Sequence, residues 1–328
     1  GWHTRQMVGR GKRFVALVTC LIVTAAACGG DTDGDPIERL EEMGTLRYLI
    51  ATPSDGECEV LASQDDETLL PLASVFKLYV LGALVEAVSV GAFTWDDPVT
   101  IRDELDSLGG PTAEEEPGST LSVRELATEM IGVSDNTATD HLMDLVGREA
   151  VEQIQHEMGH SEPTVNVPYP TTRELTILLW SDSDVGDRYS EASPSERQAI
   201  LDDEVASLPF PTSEQIESPV FRYQYSVGWF GTPGDACRAL VWLMDDHEAR
   251  SILTNRPLSP NADLWPVLGF KGGSGNGIAA AAWWMQAGDT QAYVAVVSLV
   301  NETDLLDLEK VIELMTRLRD QTATLRTE

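Results

Sequence analysis

The spacing of apolar residues changes character along the chain, and each change predicts a different kind of element. A short helix is predicted over 37–43. Apolar runs at 46–51 and 58–63, separated by Ser54-Asp55-Gly56, then predict an antiparallel hairpin. An apolar helix follows from about 74 to 87. From there to about residue 250 the signals are helical. Ser122-Val123-Arg124-Glu125 is a capping box, with Leu126, Met130 and Ile131 as the inward stripe. Thr171-Thr172-Arg173-Glu174 opens another helix with Leu175, Leu178 and Leu179 inside, and Ser193-Pro194-Ser195-Glu196 places proline at a first helical position. Thr232-Pro233-Gly234-Asp235 starts one more. Strands return at 267–271, 278–285 and 291–300, with Ala287-Gly288-Asp289 turning the last pair. The chain closes on an amphipathic helix whose inward positions are Leu305, Leu308, Ile312, Met315 and Leu318.

Strands at both ends with helices between them predict an α+β fold: one antiparallel five-stranded sheet built from the two termini, flanked by helices, with a helical lobe inserted. The sheet lobe is expected over about 37–65 and 260–328, the helical lobe over about 66–259, as one domain spanning 37–328. A site is expected in the cleft between the lobes.

The first residues are of another kind. Arg5, Arg10, Lys12 and Arg13 precede an apolar run ending at Ala25-Ala26-Ala27-Cys28, with no acidic residue before Asp31. This predicts a signal peptide over 1–27 and an exported, extracytoplasmic protein. The small residues before Cys28 resemble a bacterial lipobox, which would anchor the protein in a membrane through a lipid on that cysteine; plain cleavage at Ala-x-Ala is the alternative. Residues 28–36 read as a flexible tether. Without Cys20 and Cys28, Cys58 and Cys237 remain, either as a disulfide or as a buried free pair.

At 328 residues and 42% hydrophobic content the chain can bury a large core. Its net charge is −32; four of the 22 basic residues and none of the 54 acidic ones lie in the signal, so the remainder carries −36. Such a surface excludes nucleic acid and anionic lipid headgroups as partners, and fits a protein adapted to high salt. Lysine is scarce: beyond the signal only Lys77, Lys271 and Lys310 occur.

Two of those three lysines sit in sequences that carry chemistry. Ser74-Val75-Phe76-Lys77 places a hydroxyl and an amine on one helical face, a nucleophile beside a base whose pKa burial can lower. Val133-Ser134-Asp135-Asn136 begins a later helix, and Phe270-Lys271-Gly272-Gly273-Ser274 lies on a late strand. In this order the three segments resemble the S-x-x-K, S-D-N and K-[ST]-G elements of class A β-lactamases and the related penicillin-binding proteins.

The resemblance implies a serine hydrolase acting through a covalent acyl-serine, without a cofactor, on a small acyl substrate, and a monomer. It casts Ser74 as nucleophile and Lys77 as proton acceptor or anchor. Ser134 would be the proton relay and Asn136 the holder of a substrate amide. Lys271 would supply the positive charge that draws in a carboxylate. The amides of Ser74 and Ser274, beside Gly273, would form the oxyanion hole, and Asp135 would cap its helix. Two departures bear on the substrate. The hydroxyl of the third motif is replaced by Gly272. Glu162-Pro163-Thr164-Val165-Asn166 matches the E-P-x-x-N segment that supplies the deacylation base, here Glu162, but the omega loop around it is shortened.

Three functions are therefore expected in order: hydrolysis of a β-lactam amide, with antibiotic resistance as its consequence; an esterase or penicillin-binding, D-peptidase-type acyl hydrolase with weak β-lactam turnover; and a non-catalytic surface lipoprotein. His156-Glu157-Met158-Gly159-His160 matches the zinc-protease pattern H-E-x-x-H, but Gly159 and Pro163 are expected to end the helix before His160, which leaves the two imidazoles on different faces.

Overall fold

A computed structural model describes residues 34–255, 264–287 and 291–327. The signal peptide and residues 28–33 of the tether, Cys28 among them, lie outside the described residues, as do Gly288 and Asp289 of the last turn, while Asp35 and Pro36 of the expected tether cap and begin a helix.

The chain opens with α1 (Pro36–Glu41), capped by Asp35, and the hairpin β1 (Thr45–Ser54) and β2 (Glu57–Gln64). The helical part contains α2 (Lys77–Ser89), α3 (Val123–Gly132), α4 (Asn136–Val146), α5 (Arg148–Glu157), α6 (Thr172–Trp180) and α7 (Pro233–Asp245), with shorter turns between them. Strands β3 (Val267–Gly275), β4 (Ile278–Gln286) and β5 (Ala292–Val300) follow, and α8 (Leu308–Gln321) ends the fold. The five strands form one antiparallel sheet in the order β2-β1-β5-β4-β3, so the last strand in sequence lies between the first and the fourth. The fold is α+β, with strands from the early and late parts of the chain joined in one sheet.

The sheet divides the core. On one face Leu49, Ala280, Ala282 and Val296 pack against Val75, Phe76 and Leu78 and the helices behind them; on the other Tyr48, Ala281, Trp283 and Val297 pack against Leu314 and Leu318 of α8. Alternation along each strand makes both faces apolar, and this is why β4 and β5 read as unbroken apolar runs. Ala280 and Ala282 are small on the helical face, and the segment containing Ser74 lies close against them. The disulfide Cys58–Cys237 ties β2 to α7 with a Cα–Cα distance of 6.4 Å, closing the alternative of a free pair.

Two expectations are corrected. The helix expected from Ser74 starts with a tight 3₁₀ turn, Ala73–Phe76, and becomes α-helical only at Lys77. In α8, Asp307 caps the helix at Lys310 N, which puts Leu305 in the preceding loop; the inward stripe is Val311, Leu314, Met315 and Leu318, while Leu305 and Ile312 are exposed. Helices begin at all four predicted starts, Ser122, Thr171, Ser193 and Thr232, and the capping box predicted at Ser122 is formed.

Candidate active site

Three elements converge at the edge strand β3. Residues of one strand face alternate, so Lys271 and Gly273 both turn toward the helical part, and Phe270 and Gly272 toward the other side. A Cβ built on Gly273 would lie 2.6 Å from Ser74 N and 3.0 Å from Leu72 O, so the turn that carries Ser74 rests directly on the Gly273 backbone. Only glycine permits that approach.

Lys77 and Lys271 are both buried, at 0% and 1% exposure. They meet at Ser134. Lys77 Nζ lies 2.6 Å from Ser134 O, 2.6 Å from Asn136 Oδ1 and 3.2 Å from Ser134 Oγ. Lys271 Nζ donates to Ser134 Oγ at 2.9 Å and to Gly272 O at 2.6 Å. This arrangement accommodates either protonation state of Lys77. As an ammonium it donates to all three oxygens; as a neutral amine it donates to Ser134 O and Asn136 Oδ1 and its lone pair accepts the Ser134 hydroxyl. A proton can therefore pass between Ser134 Oγ and Lys77 Nζ without heavy-atom movement.

Two residues next to the reacting groups have left-handed backbones: Ala73 at φ 43° and Ser134 at φ 61°. Neither is glycine, and each conformation costs about 1–3 kcal/mol that the surrounding packing must offset. The two residues after Ser134 fix it in place. Asp135 is buried; its carboxylate accepts Ala138 N at 2.8 Å, capping α4, and Thr112 N at 2.8 Å, pinning the neighbouring loop. Asn136 Nδ2 donates to Leu108 O at 2.8 Å, which fixes the amide with its other N–H unused among the described residues.

One turn further along α4, Asp140 is buried and accepts Thr172 N, Thr172 Oγ1 and Arg173 N, each at 2.8 Å, holding the start of α6. Burial pushes its carboxyl up to about 7, against the lowering effect of those bonds, and Glu174 adds to the rise. Because the folded value is raised, the stability it contributes is complete below the unfolded value of about 3.9 and is lost as pH rises through about 7. The wild-type unfolding free energy should therefore fall relative to Asp140→Asn between pH 4 and pH 7, by up to the order of 4 kcal/mol. Urea midpoints at four pH values measure the difference; parallel profiles would refute it.

Ser74, Lys77, Ser134, Asn136, Lys271 and Gly273 are thus brought together, and Ser274 follows on the same strand, exposed. Glu162 is placed differently. It is exposed on the loop after α5, its backbone N–H is held by His160 Nδ1 at 3.1 Å, and its carboxylate makes no hydrogen bond among the described residues. Asn166, its expected companion, is buried and turned to Phe230. Helix α5 ends at Glu157 with Gly159 at φ 76°; His156 is exposed and His160 is buried beyond the helix end.

Sequence reading missed several contributors. Phe270 lays its ring over Gly272, so that a Cβ at 272 would come within 2.8 Å of the ring; the absent hydroxyl has an aromatic neighbour in its place. Trp229 stacks on Phe76 at 3.5 Å between centroids, and Tyr169 donates its hydroxyl to Phe76 O at 3.3 Å. Both buttress the turn between Ser74 and Lys77 from distant parts of the chain, and no local pattern marks them.

Residues 41–198 match the model of the Beta-lactamase enzyme family. β-Lactamase AST-1 of Nocardia asteroides is 27% identical over 146 residues, 40% of this chain and 47% of the relative. β-Lactamase VEB-1 of Pseudomonas aeruginosa is 26% identical over 141 residues, 42% of this chain and 47% of the relative. The chain thus spans about half the length of these curated relatives. Among solved structures, a β-lactamase from Sphaerobacter thermophilus superposes with a TM-score of 0.60 over 88% of this chain and 96% of its own, at 20% identity, and shows the same fold.

Proposed function

We propose, on the premise that the chain is a member of the class A β-lactamase and penicillin-binding-protein-like superfamily, that it is a serine acyl hydrolase whose acylation half-reaction is complete and whose deacylation is slow. The observation that carries the first part is Ser134 Oγ held between Lys77 and Lys271 beside the turn of Ser74.

In this reading Ser74 Oγ attacks the acyl carbonyl, and its proton passes to Lys77. The oxygen that becomes negative is met by the amides of Ser74 and Ser274. Lys77 returns the proton through Ser134 to the leaving nitrogen or oxygen as its bond to the acyl carbon breaks, so that no net charge is left behind. Asn136 offers its remaining N–H to a substrate carbonyl, and Lys271 keeps the Ser134 oxygen electron-poor. Water then releases the acyl group from Ser74.

The second part rests on Glu162. A general base must reach the water it activates and is worth about 10²–10⁴-fold in rate; an exposed carboxylate with no partner to orient it lacks that placement. The missing hydroxyl at Gly272 supports a second reading alongside β-lactam hydrolysis, an esterase or penicillin-binding activity, because glycine offers a substrate carboxylate no side-chain hydrogen bond. A lipid anchor and an extracytoplasmic site of action belong to the same proposal, supported by the N-terminal sequence alone.

Mass spectrometry of the protein mixed with benzylpenicillin tests both parts. An adduct on Ser74 is expected to form and persist for minutes, to be absent from Ser74→Ala, and to clear at a rate within about threefold of wild type in Glu162→Gln, against the 10²-fold or more expected of a general base. Absence of any Ser74-dependent adduct, together with absence of Ser74-dependent p-nitrophenyl ester hydrolysis, would refute the acyl-serine reading. Rapid clearance that Glu162→Gln abolishes would restore Glu162 as the base.

A further inference from the structure

Two residues that sequence motifs nominate for chemistry, Asn166 and His160, are engaged together on a different task. Asn166 is 1% exposed and treats Phe230 as a β-strand would: its Oδ1 accepts Phe230 N at 2.8 Å and its Nδ2 donates to Phe230 O at 2.9 Å. The second Nδ2 hydrogen goes to Gln155 Oε1 at 2.7 Å. His160 Nε2 lies 2.8 Å from the same Phe230 oxygen, and its Nδ1 accepts Glu162 N–H, so the ring is the neutral Nε2–H tautomer. Asn166 Nδ2 also lies 3.3 Å from His160 Nε2, so Asn166, His160 and Gln155 form one buried cluster around the Phe230 backbone.

What the clamp holds is the approach to the nucleophile. Phe230 and Gly231 pair with Pro71 and Leu70, and Leu72 N donates to Trp229 O at 2.8 Å. The next residue is Ala73, at φ 43°, and then comes Ser74. Trp229, one residue before Phe230, also stacks on Phe76 and donates Nε1–H to Pro170 O at 2.9 Å. The left-handed turn before Ser74 is thus braced by a two-residue strand, and that strand is braced by Asn166 and His160.

We propose that Asn166 and His160 are positioning residues for Ser74: they fix Phe230, and through the short strand pair they hold the strained turn that aims the Ser74 amide and hydroxyl. The shortened loop serves the nucleophile from behind instead of serving water in front. The proposal rests on the reading of Ser74 as the acylated residue. The ionisable groups facing the clamp are Asp235 and Arg238 of α7, Tyr79 of α2, and His160 itself, with Glu162 on the exposed side. Asp235 accepts Ser161 N at 2.8 Å and lies 3.7 Å from His160 Nδ1.

The test compares wild type, Asn166→Ala and Asn166→Asp for the rate constant of acylation by a fluorescent penicillin, the number of acylable sites per chain, and the hydrogen-exchange protection of the Leu72 amide, from pH 5 to pH 9. An ionised aspartate still accepts Phe230 N–H but confronts Phe230 O and Gln155 Oε1 without a proton; protonated, it restores one donor. Asn166→Ala, which removes three buried hydrogen bonds, is expected to acylate about tenfold more slowly with an undiminished number of sites. Asn166→Asp, expressed as its ratio to wild type, is expected to recover as pH falls, and Leu72 protection should follow the same curve. A merely structural role would lower the unfolding midpoint and leave the acylation rate of the folded protein unchanged. A pH-independent Asn166→Asp ratio, or wild-type acylation by Asn166→Ala, overturns the proposal. If wild type takes no label, the reading of Ser74 fails, and the Leu72 amide alone then decides whether the clamp exists. If Asn166→Ala does not fold, Asn166→Asp at low pH decides.

Discussion

Gly273→Ala is expected to slow acylation of Ser74 by about 10²–10³-fold, the loss typical of a disabled oxyanion donor, while the protein remains folded. The added methyl would stand 2.6 Å from Ser74 N, 3.0 Å from Ala73 Cβ and 3.0 Å from Leu72 O. All three atoms belong to the backbone or to the first side-chain carbon of a constrained turn, so none can swing aside. Either the Ser74 turn moves outward by several tenths of an ångström or β3 moves away from it, and both separate the amides of Ser74 and Ser274. Elsewhere in a strand alanine is preferred to glycine by roughly 0.5–1 kcal/mol, so stability should change little. Gly275→Ala is the control, because its methyl would meet nothing nearer than Ile278 Cδ1 at 3.5 Å. Acylation is followed with a fluorescent penicillin and folding by circular dichroism. Equal rates for Gly273→Ala and Gly275→Ala would remove Gly273 from the site.

Breaking the Cys58–Cys237 bridge is expected to be the largest single loss of stability. The bridge closes 179 residues of chain. The chain-entropy relation gives about 5 kcal/mol for a loop of that length, and measured effects of native bridges are commonly about 2–4 kcal/mol. The location favours a value inside that range. Strand β2 is at the sheet edge with β1 as its partner, and Val60 and Leu61 on it are exposed, so little packing besides the bridge holds it to α7. With an unfolding entropy of about 2.1 cal/mol/K per residue, a loss of ~3 kcal/mol corresponds to about 5 °C in midpoint. Thermal unfolding of the Cys58→Ser, Cys237→Ser double variant against wild type, with wild type under dithiothreitol as a second comparison, measures it. A midpoint within one degree of wild type would show that the sheet edge is held by packing alone.

Much of the fold was legible because its signals are local. A helix start depends on residues within one turn of each other, and all four starts formed. Ser74, Lys77, Ser134, Asn136 and Lys271 could be nominated from short motifs because nucleophile chemistry needs those groups near helix starts and strand edges. Other features were not legible. In α8, Met315 and Leu318 were read correctly, but Leu305 was placed inside the helix because Asp307, an ordinary acidic residue in sequence, becomes the cap that decides where the helix starts, and Ile312 faces outward. Asn166 was nominated as a companion of Glu162 from its spacing, yet what it bonds is Phe230, 64 residues away. The contact of Phe270 with Gly272 depends on which rotamer the ring adopts over the strand, and the motif shows only that a hydroxyl is missing. Tyr169 and Trp229 brace the Ser74 turn from loops whose sequences show no period at all.

The order of the strands has a consequence for how the protein is made. Strand β5 lies in the middle of the sheet, with β1 on one side and β4 on the other, and Thr45 pairs with Val300. The hairpin that emerges first from the ribosome therefore has no neighbour to extend its sheet until almost the whole chain has followed. Long-range pairing of this kind is slow, and waiting strands expose unpaired edges meanwhile. A chain that stops before Ala292 does not lose an ornament at the rim; it loses the strand that joins the two halves, and the Ser74 turn loses the floor on which it rests.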